Sequence, residues 1–210
     1  MEKLVNLHIN VGKIGIRLFI LNVYWLLFTL AGLLVFGVVP ASRALIAVLL
    51  EEHEHSFDQP IRELFPRFLN HYKSSFFKMN RQFLPFNLLL LLLVVDIRLL
   101  SVYHFSGLDG GIGILLRFCL LLAVIFSFFF LRFSLQEDSF KATCKKSLIF
   151  LFGRPLTALG VLIIGTVSFC LYYLIPGLAM VFGIAAPFYL LLLQIEPKLS
   201  FQPGAKTLSK

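Results

Sequence analysis

Residues 84–103 read LPFNLLLLLLVVDIRLLSVY, and this stretch decides the fold. An α-helix rises 1.5 Å per residue, so twenty residues cover the ~30 Å hydrocarbon core of a bilayer. The stretch carries only two charged side chains, Asp96 and Arg98. It therefore predicts a membrane-spanning helix with two charges set inside the apolar layer.

The composition of the whole chain agrees with this interpretation. Hydrophobic residues make up 59% of its 210 residues, with 24 Phe, and the mean hydropathy is +0.89. A soluble domain has about 45–50% apolar residues and could not bury this excess. The net charge of +8 comes from short basic blocks between apolar runs, which favours anionic lipid headgroups over nucleic acid as the partner. The three cysteines have no short pairwise spacing and predict neither a disulfide framework nor a metal site.

The apolar runs predict an all-α polytopic bundle in which residues 1–195 form one transmembrane domain and 196–210 a polar cytoplasmic tail. The first run is longer than a signal-peptide core, so we interpret it as an uncleaved span. The second segment is continuously apolar only over 44–50, which leaves a re-entrant helix, and thus five spans, as the alternative. The six predicted spans are 18–39, 40–55, 84–103, 112–131, 155–175 and 178–195.

The distribution of Lys and Arg favours six spans. With six crossings, 16 of the 19 basic residues fall on one side of the membrane, and the other three lie within spans. Basic residues are enriched in cytoplasmic loops. We therefore expect a multi-pass membrane protein with both termini in the cytoplasm.

Two cytoplasmic segments, 61–82 and 132–148, have apolar residues at helical spacing with basic residues between them. In the first segment, a basic face opposite an aromatic face predicts a helix in the membrane interface. The alternative is that the aromatic face packs on the ends of the spans. The candidate lipid-facing basic residues are Arg67, Lys73, Lys78 and Arg81.

Charges inside the predicted spans form a second candidate site, an intramembrane polar cluster of Arg43, Asp96, Arg98 and Arg117. Asp96 and Arg117 lie at similar depths on two spans joined by a short turn, so an ion pair between them is geometrically available. Charged groups within spans are costly unless they pair or reach the headgroups. Two interpretations stay open: snorkelling arginines with one structural pair, or an outward-facing polar pocket for an anionic or hydroxyl-rich ligand.

Other chemistry-bearing patterns are weak. Glu51 and His55, four residues apart at the end of the second helix, could hold a metal, but zinc sites use three or four ligands and a solvated helix end is the simpler interpretation. The sequence has no phosphate-binding glycine loop, no His-Glu-x-x-His and no Gly-x-Ser-x-Gly. We therefore expect no enzyme, no catalytic residues, no metal and no cofactor.

Two short motifs carry a family resemblance. Asn22-Val-Tyr-Trp25-Leu-Leu-Phe is followed by Pro40 and an Ala-rich helix, and Phe76-Phe-Lys-Met-Asn80-Arg-Gln82 leads into a span. This arrangement resembles the YesL family of small bacterial membrane proteins, whose activity is undefined. The resemblance implies a multi-pass protein of the bacterial plasma membrane and an association with carbohydrate uptake systems.

Three function classes follow from these expectations. The first is an accessory or regulatory membrane component that serves a sugar ABC importer. The second is a small transporter or channel, and the third is a structural membrane protein whose basic segments bind lipid. Transporters place polar groups near the bilayer midplane, whereas the charges here crowd toward the predicted outer ends. The sequence therefore favours the accessory component.

Overall fold

In the computed structural model, the described backbone covers residues 2–55, 57–102, 109–136 and 139–199, with side chains described for 11–55, 57–99, 111–136 and 139–195. All regular structure within these ranges is helical, which confirms the all-α expectation for the described chain. The helices are α1 (Glu2–Ala31), α2 (Val35–Glu54), α3 (Leu64–Val102), α4 (Asp109–Phe133), α5 (Phe140–Gly153), α6 (Pro155–Leu174), α7 (Pro176–Val181) and α8 (Ala185–Leu199), with a 3-10 turn at Ile61–Glu63 before α3.

Four helical segments of the described chain are long and apolar enough to cross a bilayer: Val11–Ala31, Ile61–Leu99, Gly111–Phe133 and Pro155–Leu174. The apolar part of α8, Ala185–Ile195, is shorter. These helices fit the expected membrane protein. The count of six spans stays a prediction.

The first hairpin turns at Gly32, Leu33 and Leu34, so α1 ends at Ala31 and not near Val39 as the sequence suggested. Leu33 and Leu34 have φ angles of 55° and 61°, a conformation that costs roughly 1–2 kcal/mol for a residue with a Cβ. Close contact of the two helices compensates, because a Cβ on Gly32 would overlap the backbone of Gly37. Pro40, expected at the start of the second helix, lies inside α2.

The long helix α3 joins the predicted interfacial segment 61–82 and the predicted span 84–103 without a break. Its 39 residues give a length of about 57 Å, so at ordinary tilts part of it lies outside the ~30 Å hydrocarbon layer. The aromatic face of its first half packs on α1: the Phe28 ring lies 5.2 Å from Phe68 and 4.8 Å from Tyr72, centroid to centroid. The packing alternative for this face is therefore the one that the structure favours.

The second half of the chain packs against α3 and α2 through α4. Phe83 on α3 meets Phe130 on α4 at 5.0 Å between ring centroids, and Phe150 on α5 lies 5.1 Å from Phe129. The predicted segment 132–148 is split, because α4 ends at Phe133 and α5 begins at Phe140.

The predicted sixth span is also divided, since α7 ends at Val181 and α8 begins at Ala185. Of the predicted tail 196–210, residues 200–210 lie outside the described residues.

Candidate functional site

A buried carboxylate joins the first three helices. Glu52, near the end of α2, is completely buried, and one of its oxygens bonds the Arg17 guanidinium of α1 while the other bonds the Arg67 guanidinium of α3. The Arg17 side chain is itself only 7% exposed, and its second nitrogen donates to the backbone carbonyl of Gln59. One negative charge thus neutralises part of the buried Arg17 charge and of the half-buried Arg67 charge. Loss of any partner leaves a charge uncompensated.

The network continues toward the protein surface. Arg67 also contacts Glu51 at 3.4 Å, and the other Glu51 oxygen lies 2.6 Å from Nε2 of His71. An exposed ion pair of 2.8 Å joins Lys13 to Asp58 in the loop after α2. The hydrogen bond from Lys13 and its positive charge lower the pKa of the Asp58 carboxyl, so this pair acts at neutral pH and is lost as the pH falls through the lowered pKa.

This network changes the interpretation of the end of α2. The sequence predicted a solvated helix end or a metal held by Glu51 and His55, whereas the structure directs Glu51 to His71 and Arg67. Within the described chain, no group of three or more His, Cys, Asp or Glu side chains has the proximity that a metal ion needs.

A second polar contact lies at the break between α7 and α8. The Asn22 Nδ2 donates to the carbonyl of Met180 at 2.9 Å, and its Oδ1 accepts from the Ile184 amide at 3.2 Å. Within the break, the carbonyl of Gly183 accepts a hydrogen bond from the Tyr172 hydroxyl at 2.6 Å. Irregular backbone within an apolar layer is tolerated when its polar groups are bonded inside the protein, and Asn22 and Tyr172 supply these bonds.

A third polar contact replaces the backbone hydrogen bond that a proline removes from α2. Pro40 has no N–H, so the carbonyl of Phe36, four residues earlier, lacks its usual helical donor. The Asn80 Nδ2 on α3 donates to this carbonyl at 3.0 Å. Asn80 thereby ties α3 to the first hairpin at the point where the hydrogen bonding of α2 is interrupted.

One residue of the predicted intramembrane cluster, Arg43, contacts the carboxyl-terminal end of α4. Arg43 donates to the hydroxyl and the carbonyl of Ser134, just past the end of α4, at 3.3 Å each. Arg117 lies 17 residues before Ser134 on the same helix, about 25 Å away at 1.5 Å per residue. The structure thus separates Arg43 from Arg117.

The other cluster residues lie near the far ends of α3 and α4. Asp96 is half-buried, and Arg98 and Arg117 are exposed. The ion pairs among the described side chains do not include Asp96 with Arg117. The Arg117 guanidinium instead folds back along α4, where its Nη1 lies 3.1 Å from the position of a Cβ on Gly113. This is the direction expected of a snorkelling arginine.

The four candidate lipid-facing residues also separate. Lys73 and Arg81 are exposed and Lys78 is half-buried, while Arg67 belongs to the Glu52 network. Sequence reasoning missed this network because its members are 15 and 35 residues apart. The available signal was the occurrence of Arg17 and Glu52 at the margins of apolar segments.

Among the described residues, three of the cavities between helices have mainly apolar walls. The largest, about 650 Å³, lies between α4, α6 and α8 and includes Phe128, Phe169 and Phe188 among its lining residues. A second, about 510 Å³, lies between the start of α2 and residues 80–94 of α3. The third, about 240 Å³, lies where Phe86 of α3 meets α4 and α5.

Comparison with known proteins places the chain among proteins of unknown activity. A family model described as "Protein of unknown function, DUF624" matches residues 18–97. Three uncharacterised proteins of Bacillus subtilis are similar: YesV is 33% identical over 78% of this chain and 77% of its own length, YteU 34% over 40% and 36%, and YesL 47% over 24% of each. No solved structure matches the chain significantly. The match to YesV over most of both chains, together with the family model, shows that this protein belongs to the YesL-like DUF624 family.

Proposed function

We propose that this protein is a non-enzymatic accessory component of the bacterial plasma membrane that acts by contacting a carbohydrate ABC importer. The observation that carries the proposal is the use of polar side chains in contacts between helices. Glu52, Arg17, Asn22 and Asn80 are all bonded to other helices of the same chain. These groups stabilise the bundle. We therefore assign the function to the exposed surface.

The exposed surface suits contact with other membrane components. The outer side chains of Leu88, Leu91 and Leu92 on α3 are 56%, 61% and 59% exposed, whereas Lys73 and Arg81 project from the first half of the same helix. An apolar half and a basic half on one continuous helix fit a lipid-embedded part followed by a part at an anionic headgroup layer. The importer as partner rests on the family resemblance.

Co-purification tests this proposal. The protein, tagged at Lys210 and extracted in a mild detergent from cells growing on an importer-dependent sugar, should retain the permease subunits of that importer. A tagged membrane protein of similar size and unrelated sequence provides the control. Recovery of the importer in equal amounts with both tagged proteins, or with neither, would contradict the accessory role.

The divided helix α7–α8 supports a second candidate function, a small transporter. Discontinuous helices often form the substrate sites of secondary transporters, and the break at 182–184 lies against Asn22 of α1. Purified protein in sealed vesicles should then carry sugar or ions without any importer present. Flux equal to that of empty vesicles would exclude this candidate and leave the accessory role unaffected.

A further inference from the structure

Asn87 is an amide without a role in the fold. Whereas Asn22 and Asn80 bond backbone groups of neighbouring helices, the Asn87 side chain forms no hydrogen bond with any residue that the structure describes. It lies at the start of the six-leucine run of α3 and lines the cavity of about 510 Å³ beside α2. A carboxamide in an apolar layer gains from a hydrogen-bond partner, and the described chain provides none.

Asn87, itself half-buried, lies on a helix face whose apolar members are largely exposed. Residues at steps of three and four share one face of a helix, and here these positions define what we call the α3 seam: Leu84, Asn87, Leu88, Leu91 and Val94. The four apolar members are 51%, 56%, 61% and 43% exposed. A seam of apolar residues with one central asparagine is a pattern that fixes the register of paired helices.

We propose that the α3 seam is a homodimer interface within the membrane, in which Asn87 hydrogen-bonds to Asn87 of a second copy. All copies in one membrane have the same orientation, so two α3 helices related by a two-fold axis along the membrane normal are parallel. Residue 87 then lies at the same depth in both copies. A carboxamide is both donor and acceptor and is therefore complementary to itself, which a lysine or a carboxylate is not.

The neighbouring surface provides room for the second helix. The cavity beside the seam is bounded by Val35, Phe36 and Val38 of α2, which are 65%, 49% and 39% exposed. Leucines of the second copy can enter this cavity as knobs enter holes. The seam extends over about three turns, from Leu84 to Val94.

Cysteine cross-linking in native membranes tests the geometry. With Cys119, Cys144 and Cys170 replaced by Ala, a single cysteine is placed at Leu84, Leu88 or Leu91 on the seam. The control position is Leu89, which is 51% exposed but points about 100° or more away from every seam residue. Oxidation should give dimers at the seam positions and little at Leu89. Equal cross-linking at Leu89 and the seam, no dimer at any position, or a product whose mass reveals a different protein would each overturn the proposal.

The role of the amide is tested by dimer affinity in lipid vesicles, measured by energy transfer between labelled copies. Asn87→Leu should weaken dimerisation by about 3- to 30-fold, the range expected for one interhelical polar contact in a membrane, while Asn87→Gln should retain most of the affinity. Because Asn87 has no partner in the described chain, neither substitution should change the thermal stability of the monomer in detergent. Unchanged dimer affinity in Asn87→Leu would overturn the proposal.

Discussion

The Asn80 side chain supplies the hydrogen bond that Pro40 removes from α2. Its Nδ2 lies 3.0 Å from the Phe36 carbonyl, the group to which a residue with an N–H at position 40 would have donated. Pro40 of α2 and Asn80 of α3 thus act together. The hydrogen bond that is missing within α2 is replaced by one that holds α3 against α2.

A double-mutant cycle tests this dependence. Asn80→Leu should lower the free energy of unfolding in detergent by about 0.6–2 kcal/mol, because the Phe36 carbonyl loses its donor. In a Pro40→Ala background, the new backbone N–H can bond the same carbonyl, so the same Asn80 substitution should cost measurably less. Strictly additive effects of the two substitutions would show that they are independent.

The Glu52 network predicts that replacing Glu52 by an uncharged residue of similar size strongly lowers the stability of the protein. Glu52→Gln leaves Arg17 and Arg67 without the buried charge between them, which should destabilise the protein by about 3–5 kcal/mol. Asp58→Asn is the matched control, because it breaks the exposed pair with Lys13 and should change the unfolding transition very little. Equal transitions for the two variants would mean that the Glu52 network contributes no more than a surface pair.

The close contact between Gly183 and the Asn22 side chain predicts a further effect on stability. Gly183 has a φ of 29°, and a Cβ at this position would overlap the Asn22 side chain. Gly183→Ala should therefore destabilise the protein, by about 1–3 kcal/mol, and adding Asn22→Ala should cost less than the sum of the two. Gly165→Ala is the control, because nothing lies within 4 Å of a Cβ on Gly165. Thermal unfolding in detergent measures all four variants.

The sequence predicted the helices that prolines or long apolar runs delimit. The predicted span 155–175 agrees closely with α6 (Pro155–Leu174), because Pro155 and Pro176 mark its two ends. The leucine run predicted the apolar half of α3 for the same reason. In these cases the local pattern alone defines the element.

The first turn could not be predicted in this way. Leu33 and Leu34 adopt positive φ angles, which leucine rarely does, and Pro40 gave a stronger but misleading signal. The turn is determined by the close contact of Gly32 and Gly37, and the Glu52 network by three helices meeting. Both depend on contacts between residues on different helices, and no local pattern reports them.

The exposed basic residues of α3 should bind anionic lipid. Lys73 and Arg81 project outward, and each basic residue near an anionic leaflet contributes about 1 kcal/mol. Lys73→Gln with Arg81→Gln should reduce the anionic lipid that co-purifies with the full-length protein, at unchanged thermal stability. Arg67→Gln should instead lower the thermal stability and leave the amount of bound lipid unchanged, because Arg67 bonds Glu52. A loss of stability in the double variant would indicate that Lys73 and Arg81 have structural partners.

The remaining prediction concerns orientation across the membrane. With the amino-terminal basic residues in the cytoplasm, the turn after α1 faces outward, so a cysteine at Leu34, which is 56% exposed, should react in intact cells with a maleimide that cannot cross membranes. A cysteine at Pro40, which is buried in α2, should not react, although the sequence alone placed the turn there. A reporter fused after Lys210 that is active only in the cytoplasm should be active. Labelling at Pro40 but not Leu34 would contradict the hairpin, and an inactive reporter would contradict the cytoplasmic carboxyl terminus.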